Sequence, residues 1–406
     1  MDVSNNAHKQ DRTNFYIKFF FIYASLLFAY PCIIYGCYLI IAGLLTKPGL
    51  TDLMGKPLGV DFVAFYSASK LALNGDPAGI YSISKLHVIE KTVVGADIGI
   101  WAWNYPPTFL VMALPLALFP YGISFVLWSF PALYGYLWMM RRMAPHPLTP
   151  WLFLAFPPAV NNLFYGQNGF FSTLLLGGGL LLMDHRPFIG GLLFGLLSYK
   201  PQLAILIPVA LLAGRNWRAF FGAAVSSMSL ILISLIVFGF STWKAFLDNI
   251  PFATNLLNCD NFWDKMPTIF AATRQIGADL VVAEVIQIAV SLIATVIVAW
   301  IWWKGASLTL RGSSLILATF LTTPYAFVYD LSLIAIPFAW LGWEEISKGR
   351  RQGQAFLAAC WIATYLSIYL PMIQLSLLFL IPMFGFVFYR SIIDFGRYDD
   401  TGYQAN

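Results

Sequence analysis

The sequence predicts an all-α polytopic membrane protein, a bundle of about twelve transmembrane helices at roughly 20 residues per full span, with a large first outer loop carrying interfacial helices. Three observations predict it. The 406 residues are 59% hydrophobic and 11% charged, with a mean hydropathy of +0.72, whereas a soluble domain is about one quarter charged. Basic residues gather in short clusters between long apolar runs, the pattern of cytoplasmic loops. A mostly polar stretch, residues 46–104, interrupts the chain directly after its first apolar span.

Phe15 to Leu45 is too long for a signal-peptide core and lacks an Ala-x-Ala cleavage site, so it reads as an uncleaved first span. The clusters Lys9/Arg12, Arg141/Arg142, His185/Arg186, Arg215/Arg218, Lys304/Arg311, Lys348/Arg350/Arg351 and Arg390/Arg397 place the cytoplasmic side. Between clusters the chain goes out and back, turning at breaks over 161–168, 198–202, 241–277 and 322–330 and near Pro371. Tyr105 to Met140 is long enough for two crossings, but two would put Arg141 and Arg142 outside. A partial insertion of Tyr105 to Phe119, opened by Pro106-Pro107 and broken by Pro115, is preferred. Pro187 to Leu197, Leu203 to Ala213 and Gly312 to Leu321 are short for full spans, which leaves room for a polar cavity near one face. The runs Gly177-Gly178-Gly179 and Gly190-Gly191 with Gly195 permit close helix contact. The whole reads as one transmembrane domain, 1–406, with outer loops at 46–104 and 241–280.

The formal charge of +5 does not point to nucleic acid, because the basic residues are dispersed between apolar runs. Of Cys32, Cys37, Cys259 and Cys360 only Cys259 falls in an outer loop, so no disulfide framework is implied. His8, His87, His146 and His185 are scattered and carry no metal spacing; no metal and no cofactor are expected.

Polar residues that lipid does not explain fall on the outer face. Asp61 opens the first loop and Tyr105 ends it. Gln167 and Asn168 make the second break, Lys200 and Gln202 the third, and Tyr325, Tyr329 and Asp330 the fifth. An ionisable residue beside lipid is costly and points to function. Plainer roles stand beside that reading: Asp61 as N-cap of a helix running through Phe62, Phe65, Tyr66, Ser69 and Leu73, Lys200 snorkelling to headgroups, Gln167 and Asn168 satisfying a helix break. That helix, with Ile83 to Val94, has the spacing of amphipathic segments lying in the interface.

The ordered set of Asp61, Asn74-Gly75-Asp76-Pro77 with Ile80-Tyr81, Tyr105-Pro106-Pro107 leading into Leu114-Pro115-Leu116, Gly166-Gln167-Asn168, Gly195 to Lys200-Pro201-Gln202, and Thr323-Pro324 resembles glycosyltransferase family 87. The resemblance runs from about Val60 to Asp330 and places the chain with the GT-C superfamily of polyprenyl-phosphate-sugar-dependent enzymes, which includes bacterial mannosyltransferases acting on glycolipids. It implies an inner-membrane enzyme with its active site facing the periplasm, Asp61 as catalytic base, and inverting transfer from polyprenyl-phosphate-mannose to a glycolipid or glycan. Family mannosyltransferases commonly carry histidine where Tyr329-Asp330 stand here.

The residues and the resemblance converge on one displacement. Asp61 takes the proton of an acceptor hydroxyl as it attacks the donor's anomeric carbon, the part played by the base of an inverting glycosidase. Lys200 is the cation expected at the phosphate, with Tyr105, Gln167, Asn168, Gln202, Tyr325, Tyr329 and Asp330 as substrate-binding groups. A nucleotide-sugar donor is disfavoured by the lack of a Gly-rich phosphate loop and of an Asp-x-Asp pair. The rival is a transporter or flippase of lipid-linked glycans, which should show polar residues near mid-span and two related halves.

Overall fold

The computed structural model describes residues 29–255, 260–370 and 374–401, and these are all α-helical with short irregular connections. The expectations for His8, Lys9, Arg12, Cys259, Pro371 and the start of the first span fall outside them. Among the described residues, five helices are long and apolar enough to cross a membrane: α1 (Ala29–Thr46), α5 (Tyr121–Met143), α12 (Trp217–Asn255), α14 (Leu280–Trp303) and α18 (Leu377–Thr401, apolar to Phe395). Their surfaces invert the soluble pattern. On α12 and α14 the large residues Leu232, Ile236, Val285 and Val296 stand exposed, while the small residues Gly222, Ser226, Ala283 and Ala294 face the interior. Such a belt is stable only against hydrocarbon.

Shorter apolar helices fill the bundle: α8 (Gly169–Leu182), α9 (Pro187–Leu196), α11 (Leu206–Ala213) and α15 (Leu308–Thr322), followed by α16 (Ala335–Ser347) and α17 (Arg351–Tyr369). The glycines seat them. A methyl group on Gly191 would overlap the Ala219 carbonyl, and one on Gly195 the Ser226 hydroxyl, so α9 and α12 meet backbone to backbone. Ser226 Oγ then donates to Leu192 O at 2.8 Å and Ser227 Oγ to Gly195 O at 3.0 Å. Close approach of this kind gives van der Waals contact and hydrogen bonds where lipid removes the hydrophobic drive.

The first loop folds as a unit. Its helices are α2 (Phe62–Leu73) and α3 (Ile83–Val94). α2 is buried on nearly every side rather than along one stripe, with Phe62, Phe65, Ala68 and Ser69 essentially inaccessible. It packs beneath α4 (Pro107–Ala113) and the 3₁₀ turn Leu114–Leu118 that follows. Pro115 ends the α-helix there, and Ser69 satisfies the freed backbone, donating to Leu114 O at 2.6 Å and accepting from Ala117 N at 3.1 Å. At 1.5 Å per residue, Pro107–Leu118 reaches about 18 Å, too short to span a bilayer. It stays with the loop, and α5 begins beside it, with Tyr121 OH donating to Leu58 O at 2.6 Å.

α12 bends at Gly239, whose φ of +76° breaks the helical path. The expected outer break at 241 is therefore helical as far as Asn255, and this outer half crosses the first loop, with Phe246 against Tyr81 at 5.9 Å and Asn249 Nδ2 donating to Asn104 Oδ1 at 3.4 Å.

At the opposite end, Arg350 and Arg390 pair with Glu344 and Glu345 and tie α18 to α16 and α17. Arg311 reaches Asp184 at 3.4 Å.

Candidate active site

A cavity of about 920 Å³ opens between the first loop, the outer half of α12 and the turns after α7 (Pro157–Tyr165), α9 and α15. Asp61, Tyr105, Gln167, Lys200, Gln202, Tyr325, Tyr329 and Asp330 all line it. Residues drawn from four separate breaks thus converge on one chamber. Asn168 does not line it: the residue is fully buried behind Gln167, where its carbonyl accepts from Ser172 Oγ and Tyr199 OH.

Asp61 is positioned by backbone on both sides. Gly59 (φ +72°) and Val60 (φ +36°) turn the chain sharply, and Asp61 N donates to Tyr165 O at 3.1 Å. A β-branched residue at positive φ is strained, and strain of this kind, costing about 1–3 kcal/mol, gathers at functional sites. Gly166, at φ +60°, lets the chain after α7 pass so close to Phe62 that a side chain there would collide. Gln167 is thereby brought to Asp61, its Nε2 donating to Oδ2 at 2.8 Å, and Tyr105 OH donates to Gln167 Oε1 at 3.4 Å. Asp61 makes no capping bond to α2, so the capping role does not hold.

The Asp61 residue is only half-buried by surface, since the cavity opens onto it, yet protein surrounds its carboxyl. Burial pushes its pKa up to about 6, held there against the hydrogen bond from Gln167, the Trp101 indole, and the more distant charges of Lys265 and Lys56, all of which lower it. A carboxylate with this value is ionised at neutral pH and a stronger base than an exposed one.

Lys200 is 1% exposed, so it does not snorkel. Its Nζ sits 2.5 Å from Asp330 Oδ1, between the rings of Tyr105 and Tyr329, while Asp330 Oδ2 accepts from Phe327 N at 3.2 Å. The cation expected at the phosphate already has its charge matched here, by an aspartate 130 positions away. The pair forms the cavity floor and pins the turn after α15.

Lys56, Trp101 and Tyr199 also line the cavity, with Asn104 of the run before Tyr105 and with Asp264 and Lys265, which the sequence places among the outer-face polar residues of the fourth break without a role. Trp101 and Asn104 stand in the run leading to Tyr105 and were legible there. Lys56 lies in an irregular turn and Lys265 ends the short 3₁₀ helix Asp260–Lys265, neither with a periodicity to mark it. A second hollow, of about 430 Å³ between Trp138, Arg141, Arg142 and His146, lies at the far end of α5 and offers no carboxylate.

The family model of glycosyltransferase family 87 matches residues 103–324, more than half of the chain. The match includes Tyr105, Gln167, Asn168, Lys200 and Gln202; Tyr325, Tyr329 and Asp330 lie just beyond its end, and Asp61 lies well before its start. No curated protein and no solved structure matches. The apolar belt, the large cavity lined by lysines and aspartates, and the family match agree: the chain belongs to glycosyltransferase family 87 and is a membrane glycosyltransferase.

Proposed function

We propose that the protein transfers a hexose, mannose by family resemblance, from a polyprenyl-phosphate donor to a hydroxyl of a glycolipid or glycan acceptor, with inversion. In this reading the bundle is of GT-C type with about twelve passes at roughly 20 residues each. The cavity opens to the periplasmic face of a bacterial inner membrane.

The observation that carries the reaction is Asp61. Its hydrogen-bond partner, Gln167, is neutral, so its basicity is not spent on an ion pair, in contrast to Asp330. As the acceptor oxygen forms its bond to the anomeric carbon, the bond from that carbon to the phosphate oxygen breaks. The electron pair leaves with the phosphate and the hydroxyl proton passes to Asp61. Polyprenyl phosphate departs as an anion and needs no acid. Gln167, donating to one carboxylate oxygen, keeps the other turned to the acceptor. Tyr105, Gln202, Tyr325 and Tyr329 supply hydrogen bonds for sugar hydroxyls. Base assistance of this kind is worth about 10²–10⁴-fold.

Asp61→Asn preserves size and polarity and removes the base. Transfer from labelled polyprenyl-phosphate-mannose into glycolipid should fall by about 10²–10⁴-fold with expression and membrane insertion unchanged. Turnover near that of the parent protein would refute Asp61 as the base.

A further inference from the structure

We infer that Lys265, supported by Lys56, binds the phosphate of an isoprenoid-phosphate ligand at the cavity, in place of the buried Lys200. The inference rests on the proposed donor class and assigns its recognition to a different cation.

The charges lining the cavity decide the matter. They are three lysines, Lys56, Lys200 and Lys265, and three aspartates, Asp61, Asp264 and Asp330. Lys200 and Asp330 cancel one another in the floor. Lys56 and Lys265 remain to face Asp61 and Asp264, and among the described residues neither lysine is in an ion pair. With both lysines in place the wall is neutral and admits an anion. Without Lys265 it carries a net negative charge and repels one.

Lys265 is exposed at the cavity, whereas Lys200 is buried in its floor and already paired with Asp330. Its backbone is fixed, since Lys265 O accepts from Val328 N at 3.0 Å, which joins it to the same turn that carries Tyr329 and Asp330. Its ammonium lies 5.9 Å from the ring of Phe262, another lining residue, and is free to turn toward a ligand. The influence of Lys265 and Lys56 on the Asp61 carboxyl shows that both charges reach the proposed reaction centre. The cavity also exposes Ile100, Ile250 and Phe252, so a charged head and an apolar tail find complementary surface in one place.

The test uses the full chain in nanodiscs of phosphatidylcholine with a minor share of phosphatidylglycerol and sugar-free polyprenyl monophosphate as probe, read by native mass spectrometry. Lys265→Met should weaken binding about 10–100-fold, as loss of a charge-assisted phosphate contact does. Lys265→Arg should hold affinity within about threefold, since a guanidinium also binds phosphate. In turnover the KM for donor should rise while that for acceptor stays. Equal probe binding by Lys265→Met and the parent would overturn the assignment and leave the proposed reaction standing. Retention of phosphatidylglycerol lost in Lys265→Met, with probe binding unchanged, would also overturn it by making Lys265 a headgroup contact. Failure of the parent itself to bind the probe would instead strike the donor reading.

Discussion

Asp61 is held by the fold in a state that stability alone would not select. Its raised pKa means that the neutral carboxyl is the form the structure tolerates best. The associated stability is present below the ordinary carboxylate range and is lost as pH rises through about 6. Catalysis asks for the opposite form. The kcat/KM for transfer should therefore climb with pH and level off above about 6, and a pH–rate profile without that acid limb would remove Asp61 from the base position. The same conflict predicts that Asp61→Asn melts no lower than the parent at pH 7.5 in a detergent thermal-shift assay, because the buried charge is gone. Lys200 and Asp330 behave differently, as two charges that need one another. Lys200→Met alone leaves Asp330 buried and unpaired, a loss of about 3–5 kcal/mol. Adding Asp330→Asn should restore much of the thermal stability, and a double variant as unstable as the single one would deny the coupling. Asp61 was legible in the sequence because a carboxylate beside lipid demands a reason. The partner of Lys200 was not, since nothing local joins residues 130 positions apart.

Glycine decides how the helices meet. Along α9 and α12 the seam is formed by Gly191, Gly195 and Gly222, where any side chain meets backbone, with Ser226 beside Gly195. Gly191→Leu should cost about 1–3 kcal/mol or more through overpacking and lower the melting temperature, whereas Gly122→Ala on α5, with open space around it, should leave melting unchanged. Comparable melting of the two variants would show that the seam is not tightly packed. The close-contact role of Gly190, Gly191 and Gly195 was readable from spacing alone. The course of α12 was not: Gly239 and Ser241 look like the end of a helix, yet a single residue at positive φ bends the chain and the helix resumes. The first loop was readable as helical, but its interfacial pattern misjudged α2, because the residues covering its second face come from Pro107–Leu118, which only tertiary packing brings over it.

The whole molecule separates its polar chemistry from its lipid surface. Composition and periodicity made the all-helical, membrane-embedded class legible, since an apolar exterior with few charges has no other stable setting. Convergence of four breaks on one chamber became visible only in three dimensions, although each break carried its polar residues openly. The cavity is not sealed from the exterior, and Ile83, Ile100, Ile250 and Phe252 stand exposed around it. Surfactant tails used for extraction will find the same four side chains. Micelle-purified protein should therefore sit partly plugged by its own solubiliser and regain turnover when moved into a bilayer.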